Sequence, residues 1–206
     1  TEKIIALTPD LVIINKGMNE KLIETLAANN IKTLVIEMKS YEDVKREIGT
    51  FAALTGEKAK GDELVAKMDA DIEAVRTSIP QEKKRISIIH STGQGLSVQL
   101  DGSIAGNIAK MLGWENTAAG MPALDKNPDA APYSMETLVA QNPDIIFVTS
   151  MGEEAEIRAS MEAMFAESPA WQSVGAIRDG RVYYLPQELF LFSPGIEYPA
   201  AVKYMA

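Results

Sequence analysis

The chain has 206 residues, 46% of them hydrophobic and 24% charged, with a net charge of −9 at pH 7 and no cysteine. That length holds one large domain or two modest lobes, and the mixed charge excludes wholesale disorder. The acidic balance argues against nucleic acid or an anionic membrane as the main partner, and the missing thiols remove disulfides, zinc–thiolate sites and cysteine nucleophiles together.

Along the chain, strand and helix patterns alternate. Leu11-Val12-Ile13-Ile14 follows Pro9-Asp10 and reads as a short strand buried on both faces. Asn19 is placed to cap a helix with Leu22, Ile23 and Leu26 on one face. Thr33 to Ile36 is a second strand. Ser40 with Asp43 three positions on predicts a capping box, and Tyr41, Val44, Ile48 and Phe51 then recur at helical spacing. Leu64, Met68, Ile72, Val75 and Ile79 mark the longest helix, which Pro80 stops. From Glu57 to Ser78 it would run about 33 Å at 1.5 Å per residue, long enough for a strut between lobes.

The charged run Gln81 to Lys84 marks a boundary. Arg85 to His90 is a strand, with Ser91 to Gly95 as a loop at its C-terminal end and Leu96 to Leu100 as the next strand. Ser103 caps a helix through Leu112 that Gly113 closes. A Pro- and Asp-rich loop spans Met121 to Pro132. Beyond it lie a helix from Met135, a strand from Ile145 to Thr149, an acidic helix from about Glu153, a strand from Arg181 to Leu185 and a terminal helix near Pro194-Gly195.

One stretch occurs twice. Glu2 to Ile14 matches Glu136 to Val148 at a constant offset of 134, with Glu, Ala, Pro and Asp repeated and most other positions apolar. Each copy reads as a short helix, a Pro-Asp break and a buried strand. The second copy is preceded by an αβ segment from Gln81 to Ser134, and the first is not, so a matching segment upstream of Thr1 is expected and the first lobe is expected to be N-terminally truncated.

These segments, in this order, resemble the iron-chelate, haem and vitamin B12 group of periplasmic binding proteins. The resemblance is carried by Glu2 to Ile13, Ile48 to Val65, Asp101 to Asn116, Tyr133 to Val148, Trp171 to Pro186 and Ser193 to Ala206. It implies an α/β fold of two Rossmann-like lobes joined by a single long helix. Residues 1–56 would be the remaining part of the N-terminal lobe, 57–80 the linking helix and 81–206 the C-terminal lobe. It further implies no catalysis and no cofactor of the protein's own. The cargo would be a ferric siderophore, haem or cobalamin, and the partner an ABC transporter permease. Location would be outside the cytoplasm, with a membrane link only through a lipid anchor upstream.

Ligands of open α/β sheets bind beyond the carboxyl ends of strands. That rule nominates Ser91, Thr92 and Gly93, then Thr149 and Ser150, and the segment Glu188 to Ser193 with Phe190 and Phe192. Tyr133, just before the second copy of the repeat, is a further cleft candidate, and Trp114 and Tyr183 are aromatics able to cover a flat ligand. The competing reading of each is turn chemistry or core packing. His90, the only histidine, reads as a structural or cleft-edge residue. One histidine without cysteine does not make the cage a bare zinc or manganese ion requires, so no metal site is expected. The resemblance also implies a docking carboxylate on each lobe, for which Glu20 and the pair Glu153 and Glu154 are placed; acidic residues at a helix start also complement its dipole.

An enzyme is the competing class, but its motifs are missing. Gly93-Gln94-Gly95 lacks the third glycine of a dinucleotide loop, position 98 being Val. No Walker sequence, Gly-x-Ser-x-Gly elbow or HExxH occurs. A binding protein for a bare ion or another solute, or a cytoplasmic α/β regulatory domain, completes the alternatives.

Overall fold

Pro9 and Pro143 each end a short helix and start a strand, and the rest of the architecture is arranged around these two junctions. The structure, a computed structural model, describes every residue from Thr1 to Ala206. Its first part contains α1 (Glu2–Ala6), β1 (Leu11–Asn15), a 3₁₀ turn over Glu20–Leu22, α2 (Ile23–Ala28), β2 (Lys32–Ile36) and α3 (Tyr41–Thr55). The long helix α4 (Lys58–Ser78) follows. Then come β3 (Arg85–Thr92), β4 (Gly95–Gln99), α5 (Ile104–Met111), β5 (Glu115–Asn116), β6 (Ala130–Pro132), α6 (Met135–Gln141) and β7 (Ile145–Met151). The chain ends with α7 (Glu154–Glu167), α8 (Pro169–Gln172), α9 (Gly175–Arg178), β8 (Val182–Tyr184), α10 (Gln187–Phe190), a 3₁₀ turn and α11 (Tyr198–Met205). The repeat keeps its register in space: β1 and β7 begin 134 residues apart, as do the helical turns starting at Glu20 and Glu154.

In the first lobe β1 and β2 pair in parallel from Leu11↔Lys32 to Asn15↔Ile36. Ile14, Leu26 and Ile31 form a small core with Ile4, Ile5 and Val12 around it. β1 is not buried on both faces as its apolar run suggests. Ile13 is 50% exposed, because α2 covers only the face that carries Ile14. Asn19 makes no side-chain cap, and a 3₁₀ turn intervenes before α2. The capping box of α3 forms as expected: Ser40 Oγ accepts from the Asp43 N–H, and Asp43 accepts from the Ser40 N–H. Gly56 closes α3 in the left-handed region at φ 74°, where a side chain is disfavoured.

The second lobe is a sheet in the order β6-β4-β3-β7-β8, with β5 beside the start of β3. β3 and β7 run in parallel from Ile86↔Ile145 to Thr92↔Met151. The predicted loop at Ser91 is a correction: β3 continues through Thr92, and a tight turn at Gly93-Gln94 folds β4 back antiparallel, pairing Thr92 with Gly95. Backbone pairing on both sides of β3 holds these residues extended.

Side chains alternate across this sheet. Ile86, Ile88 and Phe147 face a core shared with α5, α11, Met68 and Ile72 of α4, and Tyr41 and Val44 of α3. Ile89, Ile146 and Val148 face a second core with Leu138, Met161, Phe165 and Trp171. The long helix therefore packs against α3 on one side and α11 on the other. No helix is long and apolar enough to cross a membrane.

Candidate functional site

The parallel pairing of β3 and β7 brings their C-terminal ends to one edge of the sheet, with His90 beside Thr149, Ser91 beside Ser150 and Thr92 beside Met151. Facing this edge is the connection from β2 to α3. Between them lies a cavity of 230 Å³. Its polar lining comes from both lobes: Lys39 from the first, and His90, Gln99, Ser103, Asn127 and Asp129 from the second. Met151, Phe190 and Leu191 supply its apolar wall. A concave site with few convergent polar groups, at the carboxyl ends of strands and between lobes, is where a small-molecule site is expected.

His90 Nδ1 lies 2.9 Å from Thr149 Oγ1. Burial lowers the His90 pKa, and the contact with Thr149 opposes this only in part. The imidazole is therefore neutral at neutral pH, and the cavity offers a polar ring rather than a second cation. Lys39 Nζ reaches across to Asp129 at 2.5 Å and lies 4.0 Å from Glu37. Gln99 Oε1 is buried without a hydrogen-bond partner, an orphan acceptor in the wall.

The link between lobes is concentrated beside this cavity. Ser193 Oγ donates to the Met38 carbonyl at 2.8 Å, and the Tyr198 hydroxyl contacts the Lys39 carbonyl at 3.4 Å. Asn107 Oδ1 accepts from both the Tyr41 N–H and the Tyr198 hydroxyl, at 3.3 and 2.8 Å. The rings of Tyr41 and Tyr198 lie 5.3 Å apart. Every hydrogen bond and ion pair between residues 1–56 and 81–206 starts within residues 38–41.

The residues nominated from the sequence divide around this cavity. Phe190 is among the lining residues, although it is 2% exposed and packs in the shared core. Phe192, 63% exposed, stands next to the lining residue Leu191. Thr149 lies one layer behind, through its contact with His90. Thr92 and Gly93 form the hairpin end at the same edge. Ser91 and Ser150 are buried side by side within the sheet, outside the lining. Tyr133 stacks on Trp171 at 5.7 Å and packs on the second core, where burial pushes its pKa up to about 12. Trp114 and Tyr183 border a separate 500 Å³ groove, toward the N-terminal ends of β7 and β8. Glu20 and Glu154 each open a helical turn on the surface, with Glu153 just before the second. Lys39, Gln99, Asn127 and Asp129 were not nominated. Lys39 follows the end of β2, so the rule applied to the second lobe would have found it in the first.

Comparison with known proteins decides the family. A periplasmic binding protein family model matches residues 1–189. The chain belongs to this family. The family and its structural neighbours are ligand-binding transport proteins and not enzymes. Among curated proteins, the iron(3+)-hydroxamate-binding protein FhuD of Bacillus subtilis is 27% identical, with 99% of this chain aligned to 64% of that protein. The probable siderophore-binding lipoprotein YfiY of the same organism is 22% identical, over 95% of this chain and 61% of the relative. The chain thus spans somewhat under two thirds of the length of these relatives. A solved ABC transporter substrate-binding protein from Listeria monocytogenes has the same fold, with a TM-score of 0.85 and 23% identity over 99% of this chain and 78% of that one. The haem complex of IsdE from S. aureus superposes with a TM-score of 0.81 at 19% identity, over 99% and 78% of the two chains.

Proposed function

We propose that this chain is part of an extracytoplasmic binding protein that captures a ferric siderophore, haem or a related corrinoid and delivers it to an ABC transporter. The observation that carries the reading is the cavity between the lobes. It combines a cation, a neutral imidazole and amide side chains with an apolar wall of Met151, Phe190 and Leu191, a lining suited to an organic chelate. No group of three or more His, Cys, Asp and Glu is gathered to hold a metal ion, which favours a chelate over a bare ion as cargo. FhuD is named for ferric hydroxamate and IsdE was solved with haem, and both chemistries fall within the proposed class.

In this reading residues 1–56 and 81–206 act as the two lobes and 57–80 as their linking helix. Thr92, Gly93 and Phe192 line the outer part of the cleft, Thr149 backs it through His90, and Glu20 with Glu154 or Glu153 meets the permease. Anchoring by a lipid upstream of Thr1 would hold the protein at the membrane face.

The test is a tryptophan-fluorescence titration with haem, a ferric trihydroxamate, a ferric tris-catecholate and cobalamin. Trp171 lies in the second core and Trp114 against Phe147, so a bound chromophore quenches both by energy transfer. Saturable quenching at micromolar or lower concentration is expected for at least one of them. A folded protein that none of the four quenches would overturn the reading.

A further inference from the structure

We infer that Lys39 is the anion-binding residue of the cleft, and that Asp129 occupies it as an internal competitor which an anionic chelate must displace. This rests on the proposed binding function and narrows its ligand class to chelates with peripheral anionic oxygens.

Lys39 is the single lysine or arginine in the cavity wall, and its partner Asp129 comes from the opposite lobe. Their side chains are 45% and 22% exposed, so the pair is open to exchange with a solute entering the cavity. An ammonium is a mobile point charge that donates to a carboxylate, catecholate or propionate oxygen without demanding one fixed geometry. Asp129 is fixed on its own side. Its carbonyl accepts from the Leu100 N–H at 2.8 Å and its N–H donates to Asn127 Oδ1 at 3.1 Å. The carboxylate also packs against Gly102, where an added Cβ would lie 2.5 Å from Asp129 Oδ1. A ligand anion therefore takes Lys39 from a seated carboxylate, and the released Asp129 stays in the wall as a repulsive charge.

This competition has a signature that a merely structural ion pair lacks. Lys39→Met and Asp129→Asn both break the pair, so a role confined to holding the lobes moves ligand affinity in one direction for both. Competition moves them in opposite directions. Titration of a ferric tris-catecholate and of a charge-neutral ferric trihydroxamate into each folded variant separates the two. For the catecholate, Lys39→Met is expected to weaken binding by about tenfold or more and Asp129→Asn to tighten it by about the same factor. The neutral trihydroxamate is expected to shift by less than about twofold in either variant, since no charge is exchanged. Gly102→Ala, which crowds the carboxylate without changing charge, should act as Asp129→Asn does. Equal shifts for the two chelates, or weaker catecholate binding by Asp129→Asn, would overturn the inference while leaving the binding function intact. Binding of cobalamin alone overturns the inference but not the binding function, and failure of the unaltered protein to bind either chelate, haem or cobalamin overturns both.

Discussion

Gly106 shows how little space separates local structure from the cavity. A Cβ at this position would run into the Leu100 carbonyl oxygen and Asp101 Cα, so α5 lies directly on the turn that ends β4. That turn leads to Gly102 and Ser103, and Ser103 Oγ caps α5 by accepting from the Gly106 N–H at 3.0 Å. Gly106→Ala is expected to destabilise the protein by about 2–3 kcal/mol through overpacking, read from urea unfolding midpoints. His90 makes a second residue-level prediction. Burial holds its folded pKa below the ordinary 6.5, so the folded state keeps it neutral where the unfolded chain takes up a proton. Its contribution to stability is full above that value. As pH falls below 6.5 the contribution declines, until the folded group is protonated too. Unfolding midpoints measured above and below 6.5 should therefore differ less in His90→Gln than in the parent.

At the scale of elements, α4 is held by what it touches more than by its own composition. Met68 and Ile72 are buried in a core that includes Tyr41 and Val44 before the helix and Tyr198 and Val202 after it. Ile72→Ala is expected to cost about 2–5 kcal/mol, while the exposed Glu73→Ala stays within about 0.5 kcal/mol, both by denaturant unfolding. This helix was legible because its apolar residues recur every three or four positions and Pro80 ends the run. The α3 capping box was legible because its signal is local, a serine and an acid three apart. The β3–β4 hairpin was not: Gly93-Gln94-Gly95 looks like a loop, and only pairing with β7 on the other side shows that Thr92 is still strand. α8 and α10, at four residues each, are too short to leave a periodic trace. For the cavity, strand ends pointed to the right edge of the sheet, yet the Lys39–Asp129 pair spans 90 residues and depends on how two lobes meet. No local pattern encodes that.

Over the whole molecule, the repeat places two acids in matching positions. Glu20 and Glu154 open helical turns that follow β1 and β7, one on each lobe. Neither side chain caps a helix or sits in the cavity wall, so charge can be reversed there without touching the ligand. Glu20→Arg and Glu154→Arg are each expected to lower transporter-dependent uptake several-fold. Together they should abolish most of it, with ligand affinity changed by less than about twofold. Uptake assays paired with the fluorescence titration check this, and unaltered uptake in the double variant would remove these acids from the docking surface.

Met38, Lys39 and Tyr41 carry every polar link between the first and second lobes, and they sit beside the cavity. The polar link is thus a single short seam, beside the apolar core that Tyr41 and Val44 share with α5 and α11. The outer rim is pinned by no hydrogen bond or ion pair, so a small rotation about these residues moves the rim furthest and the base least. The Lys39–Asp129 pair lies close to that axis, where a side chain has little leverage over the angle between lobes but full access to whatever reaches the base. Contact with a solute at the base and freedom from polar links at the rim therefore fall at different distances from the same short segment.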